Sequence, residues 1–543
     1  MTDDPKTGPG IGRRILRASF AVLVAHALFK LAGLIQLKVM GHYIGNSIVD
    51  TVYVTVFENC VFALFLIGEE VIGPTFLPVF MGEMDTKDEG SAWGFSNTVL
   101  SIQFLVLLVV CTLTMLFPGR VIQLMTAWSP SAQPEKYEIA RDSLVWTAPA
   151  LICLSLGSTT YMILNGYKRF FLAAFGDASW KFTVVIAVGL GVGVFGFDYR
   201  ALILGLVLGS IAKLVTHLLG MLRELKFVQP RFDIRSPAFR AMIVLMLPLV
   251  CGIVFAKVRD IFNNVWVLSN LETDGLMQAN SFGRKLYGAL GWLVPYALSI
   301  AMFPFLCEFV DRDDRKQFGE ILSNSARMLL SVFVPFSLAC VVLAKPITFI
   351  IFEGGEFSEE VANWTSVSMA CYTLVLPAVA VEYLMMQAFF ANRKMVSVTV
   401  IGIVFSALSM VISYVSIVVY GAQEAAALAA IALGFALSRT LKSVTLVVVL
   451  KRKIDFFPFR ETVLFLARAL ATGAAATFLC WACVTGFERF VSAETGKFML
   501  LLKLVFGGSG AAGGFLLGVR VFHLEEPVTM LNWGLQWLKR RRS

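Results

Sequence analysis

Two lysines, Lys30 and Lys38, stand eight residues apart in the first apolar run of this chain. That spacing is a little over two helical turns, which puts both on roughly one helix face with Gln36 beside it. Further on, the segments AKVRD and FGRKL carry Lys257, Arg259, Asp260, Arg284 and Lys285 within two more apolar runs. An ionised side chain at the middle of a membrane helix costs about 2.5 to 3.5 kcal/mol, so it normally faces a polar cavity, a partner or the interface. If these cations meet in one cleft, that cleft suits an anionic substrate such as a phosphate or pyrophosphate.

Each group also has a plainer reading. Lys38 can snorkel to an interface, and Arg259 with Asp260 can form a satisfied pair that pins two helices. Lys213 with His217, and Arg439 with Lys442, fall near expected helix ends and read as solvated or lipid-facing. Asp177 and Lys181, an i, i+4 pair, read as an internal salt bridge. Glu58 and the adjacent Glu69 and Glu70 lie in the second apolar run, where two neighbouring carboxylates need a cation nearby to ionise cheaply. A proton or sodium site is one reading. A local helix break at IGEEVIGP, with Gly68, Gly73 and Pro74, is the simpler one. Asp50, Glu69, Glu70 and Asp260 are the candidates for ion coupling or gating. Glu382 has no sequence-local partner, and its role stays open.

The elements that carry these groups follow from composition. The 543 residues are 57% hydrophobic and 15% charged, with a mean hydropathy of +0.76, far too apolar for a water-soluble chain. Apolar runs near 17–44, 51–82, 92–118, 139–164, 171–196, 199–223, 239–269, 275–306, 318–345, 359–390, 395–420, 423–450, 460–486 and 498–521 predict an all-α polytopic membrane protein of about fourteen transmembrane helices. The polar opening MTDDPKTGPG does not read as a cleaved signal. Nine cysteines without a paired spacing read as small hydrophobes.

The net charge of +9 could suggest nucleic acid, but the basic residues collect in alternate short breaks. With the N-terminus inside, Arg13, Arg14, Arg17, Lys168-Arg169, the Arg223 to Arg240 connection, Arg393-Lys394, Lys451 to Lys453 and Lys539 to Arg542 share one side. That side holds roughly 25 Lys and Arg against about 6 opposite, so both termini are expected to be cytoplasmic. The acidic turn at 352–360 fits outside; the acidic break GEMDTKDEG at 82–90 falls inside and does not fit. The resulting domain plan is a tail (1–16), an N-terminal lobe of six helices (17–223), a linker (224–238), a C-terminal lobe of six helices (239–450), two additional helices (451–521) and a basic tail (522–543). One irregular fourteen-helix bundle is the alternative.

No HExxH, Walker A or GxSxG motif occurs, and the reading is a transporter, not an enzyme, without cofactor, metal or nucleotide domain. Energy for transport must then come from an ion gradient, the membrane potential or a partner.

Several segments together resemble the MurJ (MviN) family of lipid II flippases, within the multidrug/oligosaccharidyl-lipid/polysaccharide exporter superfamily. They are FKLAGLIQLKVMGHYIGNSIVDTVYV at 29–54, EEVIGPTFLPVF at 69–80, LNGYKRFFLAAF at 164–175, SFGRKLYGAL at 281–290, MFPFLCEF at 302–309, IFEGGEFS at 351–358 and FFANRKMVSVTVI at 389–401. Their order and spacing follow the family over about 420 residues.

The resemblance implies two six-helix lobes around a V-shaped central cavity, plus two helices that help hold a lipid tail. It implies alternating access that carries lipid II, an undecaprenyl-pyrophosphate disaccharide-pentapeptide, from the inner to the outer leaflet of the bacterial cytoplasmic membrane. The implied partners are that lipid-linked pyrophosphate glycan, membrane lipids and a coupling cation, for a monomer. Lys30 falls where the family has a cavity arginine, and Lys285 at the arginine of the eighth helix, with Arg284 where an acid is usual. Asp50 matches the acid after the first extracellular turn, and Glu69 the acid of the second helix. The chain departs from the pattern at Gln36, where a second cavity arginine is expected, and at Leu64 or Phe65, where another is. The lost charge is expected to move to Lys38, Lys257 or Arg259. Lys in place of Arg keeps the charge but gives up the bidentate fork. Another lipid-linked oligosaccharide, a cation-coupled small-molecule export function, or a non-transporting scaffold are the alternatives.

Overall fold

The computed structural model describes residues 28–291, 293–392, 394–452, 454, 456–490 and 496–528. The expected tail 1–16, Arg13, Arg14, Arg17, Arg393, Lys453 and Lys539 to Arg542 lie outside them. All regular structure described is helical. The first helix, α1, covers residues 28–43. A π-helical segment, Val49–Val61, runs into α2 (Phe62–Thr86). There follow α3 (Glu89–Leu116), α4 (Pro118–Met125), α5 (Pro134–Thr147), α6 (Ala150–Gly166), α7 (Phe170–Gly191), α8 (Arg200–Gly220) and α9 (Pro237–Ile261). The later helices are α10 (Leu276–Gly291), α11 (Leu293–Asp311), α12 (Arg315–Phe352), α13 (Glu359–Thr373), α14 (Leu376–Ala391), α15 (Met395–Tyr414), α16 (Glu424–Lys451), α17 (Phe459–Phe490) and α18 (Lys497–Val521).

Nine of these spans are long and apolar enough to cross a membrane, or up to twelve when bent pairs count as one, among the described residues. The chain is a multi-pass membrane protein, and this count stands beside the expected fourteen. The pairs α5–α6 and α13–α14 bend by 45° and 44°. Pro149 and Pro377 stand at these breaks, where a missing N–H and a ring clash with the preceding turn interrupt the helical ladder. Large apolar side chains on the outer surface, such as Leu105, Val106 and Val109 on α3, can only be accommodated by hydrocarbon.

Packing divides the chain into two compact units, Met1–Met277 with Gly355–Phe357, and Gln278–Gly354 with Ser358–Ser543. In the first unit an aromatic cluster of Phe76, Phe80, Trp93 and Phe95 anchors α2 and α3. In the second, Leu322, Leu384, Met385 and Phe389 join α12 to α14. By packing, α9 belongs to the first unit. The division by contacts falls after Met277, whereas the six-plus-six plan puts the lobe boundary at 224–238.

One end of the first unit gathers three polar breaks. Trp93 Nε1 donates to the Tyr167 hydroxyl at 2.9 Å, which donates to Glu89 at 2.5 Å. Arg169 forks onto Glu224 at 2.7 and 2.9 Å and also donates to the Gly220 carbonyl. The Arg231 amide donates to Ser101 Oγ. The acidic break at 82–90, the Lys168-Arg169 turn and the basic connection therefore share one end. Its acids are used locally: Glu83 accepts from Lys87 and Ser91, and Asp88 caps α3 by accepting from the Ser91 amide. This accounts for acidic residues on a side otherwise rich in cations.

Candidate functional site

In the second unit, α10, α14 and α16 bring together groups far apart in the sequence. Glu382 on α14 is buried, at 2% exposure. Its Oε1 accepts from Arg439 Nη1 at 2.5 Å and from Lys442 Nζ at 2.7 Å, both on α16. Arg439 also lies over the Phe435 ring, 5.2 Å from its centroid, and Arg284 of α10 approaches the same ring at 5.7 Å. Two guanidinium groups thus share one aromatic ring, an arrangement that stabilises a partly desolvated cation through the ring quadrupole. Tyr372 packs edge-on to Phe435 at 5.6 Å, stacks on Tyr287 at 5.3 Å, and donates to Asn280 Oδ1 at 3.1 Å. Arg284, Arg439 and Lys442 thus gather with one buried carboxylate around a shared ring.

This outcome corrects one reading of the sequence and fills one that it left open. Arg439 and Lys442 are neither solvated nor lipid-facing, because Glu382 draws them inward, and Glu382 is the centre of an ion triad. The available signal was position: the α16 boundaries put Arg439 well inside the helix, where an i, i+3 basic pair needs an acid from another element. Lys285 occupies a different direction from Arg284, with its ammonium 5.8 Å from the Phe282 ring.

The first unit holds a second ionic core. Lys213 on α8 is 1% exposed and lies 2.7 Å from Asp177 Oδ1 of α7 and 3.8 Å from Glu69 Oε1 of α2. Its ammonium sits 4.6 Å over the Phe65 ring. His217, one turn on, is fully buried between the Ala173 and Gly157 carbonyls and Thr160. Lys213 and His217 are therefore core groups, contrary to the solvated reading. Gly176 makes room for the imidazole, since a Cβ there would overlap His217. Asp177 pairs with Lys213, while Lys181 sits 4.3 Å over the Phe29 ring.

Glu70 meets Lys257 of α9 at 2.7 Å. The helix Phe62–Thr86 runs without interruption through Pro74 and Pro78, so the expected break at IGEEVIGP is absent. Glu69 and Glu70 are tolerated because two different cations answer them. Arg259 pairs with its neighbour Asp260 at 2.6 Å. Asp50, 3% exposed, accepts from the Gly275 amide at 2.7 Å; Gly275 has φ +87, a conformation that favours glycine. Lys30 is exposed and Lys38 half-buried on α1, and Gln36 is buried. Near the second expected family arginine, the cation over Phe65 comes from Lys213, a residue the sequence reading did not consider for that role. All nine cysteines are free thiols.

Outside the spans, burial and the adjoining Glu89 carboxylate push the Tyr167 phenol above its ordinary value.

Comparison with known proteins adds the following. The family model for the lipid II flippase MurJ matches residues 40–506. A probable lipid II flippase MurJ of Borreliella burgdorferi is 21% identical over 404 residues, covering 74% of this chain and 78% of that protein. A probable lipid II flippase MurJ of Vibrio cholerae is 21% identical over 546 residues, covering 95% and 98%. Among solved structures, a lipid II flippase MurJ in an inward closed conformation aligns with a TM-score of 0.71 at 18% identity, over 92% of this chain and 98% of that one. An inward-facing multidrug resistance MATE family transporter of the MOP superfamily aligns at 0.63 and 12% identity, over 80% and 98%. The two structural likenesses are likenesses of fold.

Proposed function

We propose that this chain, which belongs to the lipid II flippase MurJ family, moves lipid II from the inner to the outer leaflet of a bacterial cytoplasmic membrane by alternating access. The observation that carries the reading is the cationic, aromatic cluster of Arg284, Phe435, Arg439 and Lys442 around Glu382. A pyrophosphate leaving the headgroup region loses hydration, and guanidinium groups held by a ring and a carboxylate can replace it with charge-assisted hydrogen bonds. The polyprenyl chain needs no such site, since hydrocarbon already solvates it.

In this reading Arg284 is the primary phosphate contact, with Arg439 and Lys442 completing the positive field and Lys285 beside them; Lys30 and Lys38 of the first unit are kept as separate candidate substrate contacts. Lys257 and Arg259 are assigned to structure, given their carboxylate partners Glu70 and Asp260. Of the acids, Glu69 is our candidate for cation coupling, because it shares Lys213 with the closer Asp177. The gathering of basic breaks at one end supports an orientation with both termini in the cytoplasm.

The test is rescue of a bacterium depleted of its own lipid II flippase, scored by growth and by precursor accessibility at the outer leaflet. The wild-type chain is expected to rescue. Arg284→Gln, and the triple change of Lys30, Arg284 and Lys285 to Ala, are expected to insert and fail. Flipping by folded charge-removed variants would refute the site, and no rescue by a correctly inserted wild type would refute the substrate.

A further inference from the structure

A separate cavity of about 520 Å³ opens at one end of the second unit, where α11, α12, α14, α15 and α16 begin or end. That volume falls within the about 300 to 1,000 Å³ usual for small-molecule sites. Its apolar floor is Phe309, Val310, Phe318 and Ile454; its polar lining among the described residues is Arg315, Lys394 and Arg452, with Asn392 and Asp313. Arg315, Lys394 and Arg452 thus stand around an apolar base.

The lining is held in place by the turns around it. Asp314 N accepts no role in the cavity: it donates to the Phe309 carbonyl at 2.9 Å, closing the α11–α12 turn, while the Asp314 side chain caps α12 through the Gln317 amide at 3.0 Å. The α12 N-terminus is therefore already satisfied by its own acid, and the attraction for an anion comes from the side chains. Arg315 Nε bonds Asp313 at 2.9 Å, and a guanidinium carries two further donor nitrogens. After α16 the chain is strapped down, with Lys451 Nζ on the Phe457 carbonyl at 2.7 Å and the Phe457 amide on Ser323 Oγ at 3.1 Å. Phe456 and Phe457 join the same apolar core as Phe318 and Ile454. Arg452, the residue after α16, is exposed at the rim.

We propose that this cavity binds a phosphate ester, with Arg315, Lys394 and Arg452 on the phosphate oxygens and Phe309, Phe318 and Ile454 beneath the carbon portion. A basic pocket among helix ends at a membrane's basic face recognises anionic headgroups by the same charge-assisted bonds that recognise free phosphate. The phosphate comes either from an anionic phospholipid of the surrounding leaflet or from solution, and the apolar floor favours the lipid. The site is distinct from the Glu382 cluster and does not depend on which substrate the chain moves.

The test uses the full chain in mild detergent, following thermal unfolding during titration with short-chain phosphatidylglycerol, phosphatidylcholine or inorganic phosphate. The variants are Arg315→Gln/Lys394→Gln/Arg452→Gln, the single Arg452→Gln, and Arg200→Gln as a charge-matched control on the first unit. Phosphatidylglycerol is expected to raise the transition temperature of the wild type and of Arg200→Gln, with an apparent affinity about tenfold weaker in the triple variant. Arg452→Gln should show part of that loss, which keeps the test decisive if the triple variant fails to fold. A matching shift with inorganic phosphate would assign the soluble source; none would assign the lipid. Equal shifts in wild type and cavity variants, or a shift with phosphatidylcholine as large as with phosphatidylglycerol, would overturn the proposal.

Discussion

Lys213 Nζ lies 2.7 Å from Asp177 Oδ1 across the α7–α8 interface, with the lysine side chain sealed from its surroundings. A charge in such a place is tolerated only with its counter-charge, and removing one partner of a buried pair typically costs about 3 to 5 kcal/mol. Lys213→Met, which keeps the length of the side chain, is expected to lower the thermal unfolding temperature in detergent by several degrees. The triple change with Asp177→Asn and Glu69→Gln should recover much of the loss. A single variant as stable as wild type would show that the pair contributes nothing.

Glu382 serves two cations through one oxygen, so the acid and the bases are not equivalent. Glu382→Gln leaves Arg439 and Lys442 without their counter-charge, at about 3 to 5 kcal/mol. Lys442→Gln leaves the Arg439 to Glu382 bond intact and should cost only about 1 to 2 kcal/mol. The ordering is checked by thermal unfolding of the two variants side by side; a reversed order would refute the triad.

The α17–α18 hairpin packs backbone against backbone. A Cβ at Gly514 would stand 2.6 Å from the Ala475 carbonyl oxygen, whereas one at Gly513 meets nothing within 4 Å. Small residues are what let membrane helices approach this closely. Gly514→Val is expected to destabilise the protein by about 1 to 3 kcal/mol, and Gly513→Val to leave it unchanged. Equal effects in thermal unfolding would contradict the packing.

Tyr167 predicts an alkaline limit. Its phenol is pushed up in the folded state by burial and by Glu89, so between the unfolded value near 10 and the raised folded value the unfolded chain has lost a proton that the folded chain keeps. The contribution is fully present below about pH 10 and is lost as pH rises above it. Unfolding measured from pH 8 to 11 should fall more steeply for wild type than for Tyr167→Phe. Parallel curves would exclude Tyr167 as the titrating group.

The sequence by itself determined the membrane class, the positions of nearly all the helices and the clustering of basic breaks. These follow from apolar run length, proline placement and lysine and arginine distribution, all local quantities read along one dimension. The ordered motifs also carried the family. It did not determine which charge meets which. Glu382 and Arg439 are 57 residues apart, and Glu69 finds Lys213 six helices later; hydropathy places each on an apolar run and is silent on the face that meets a neighbour. The same limit made IGEEVIGP read as a helix break, because the cations that stabilise Glu69 and Glu70 arrive on α8 and α9. Only helix packing brings those cations within a few ångströms, and in a low-dielectric interior that distance separates a costly isolated charge from a stable ion pair.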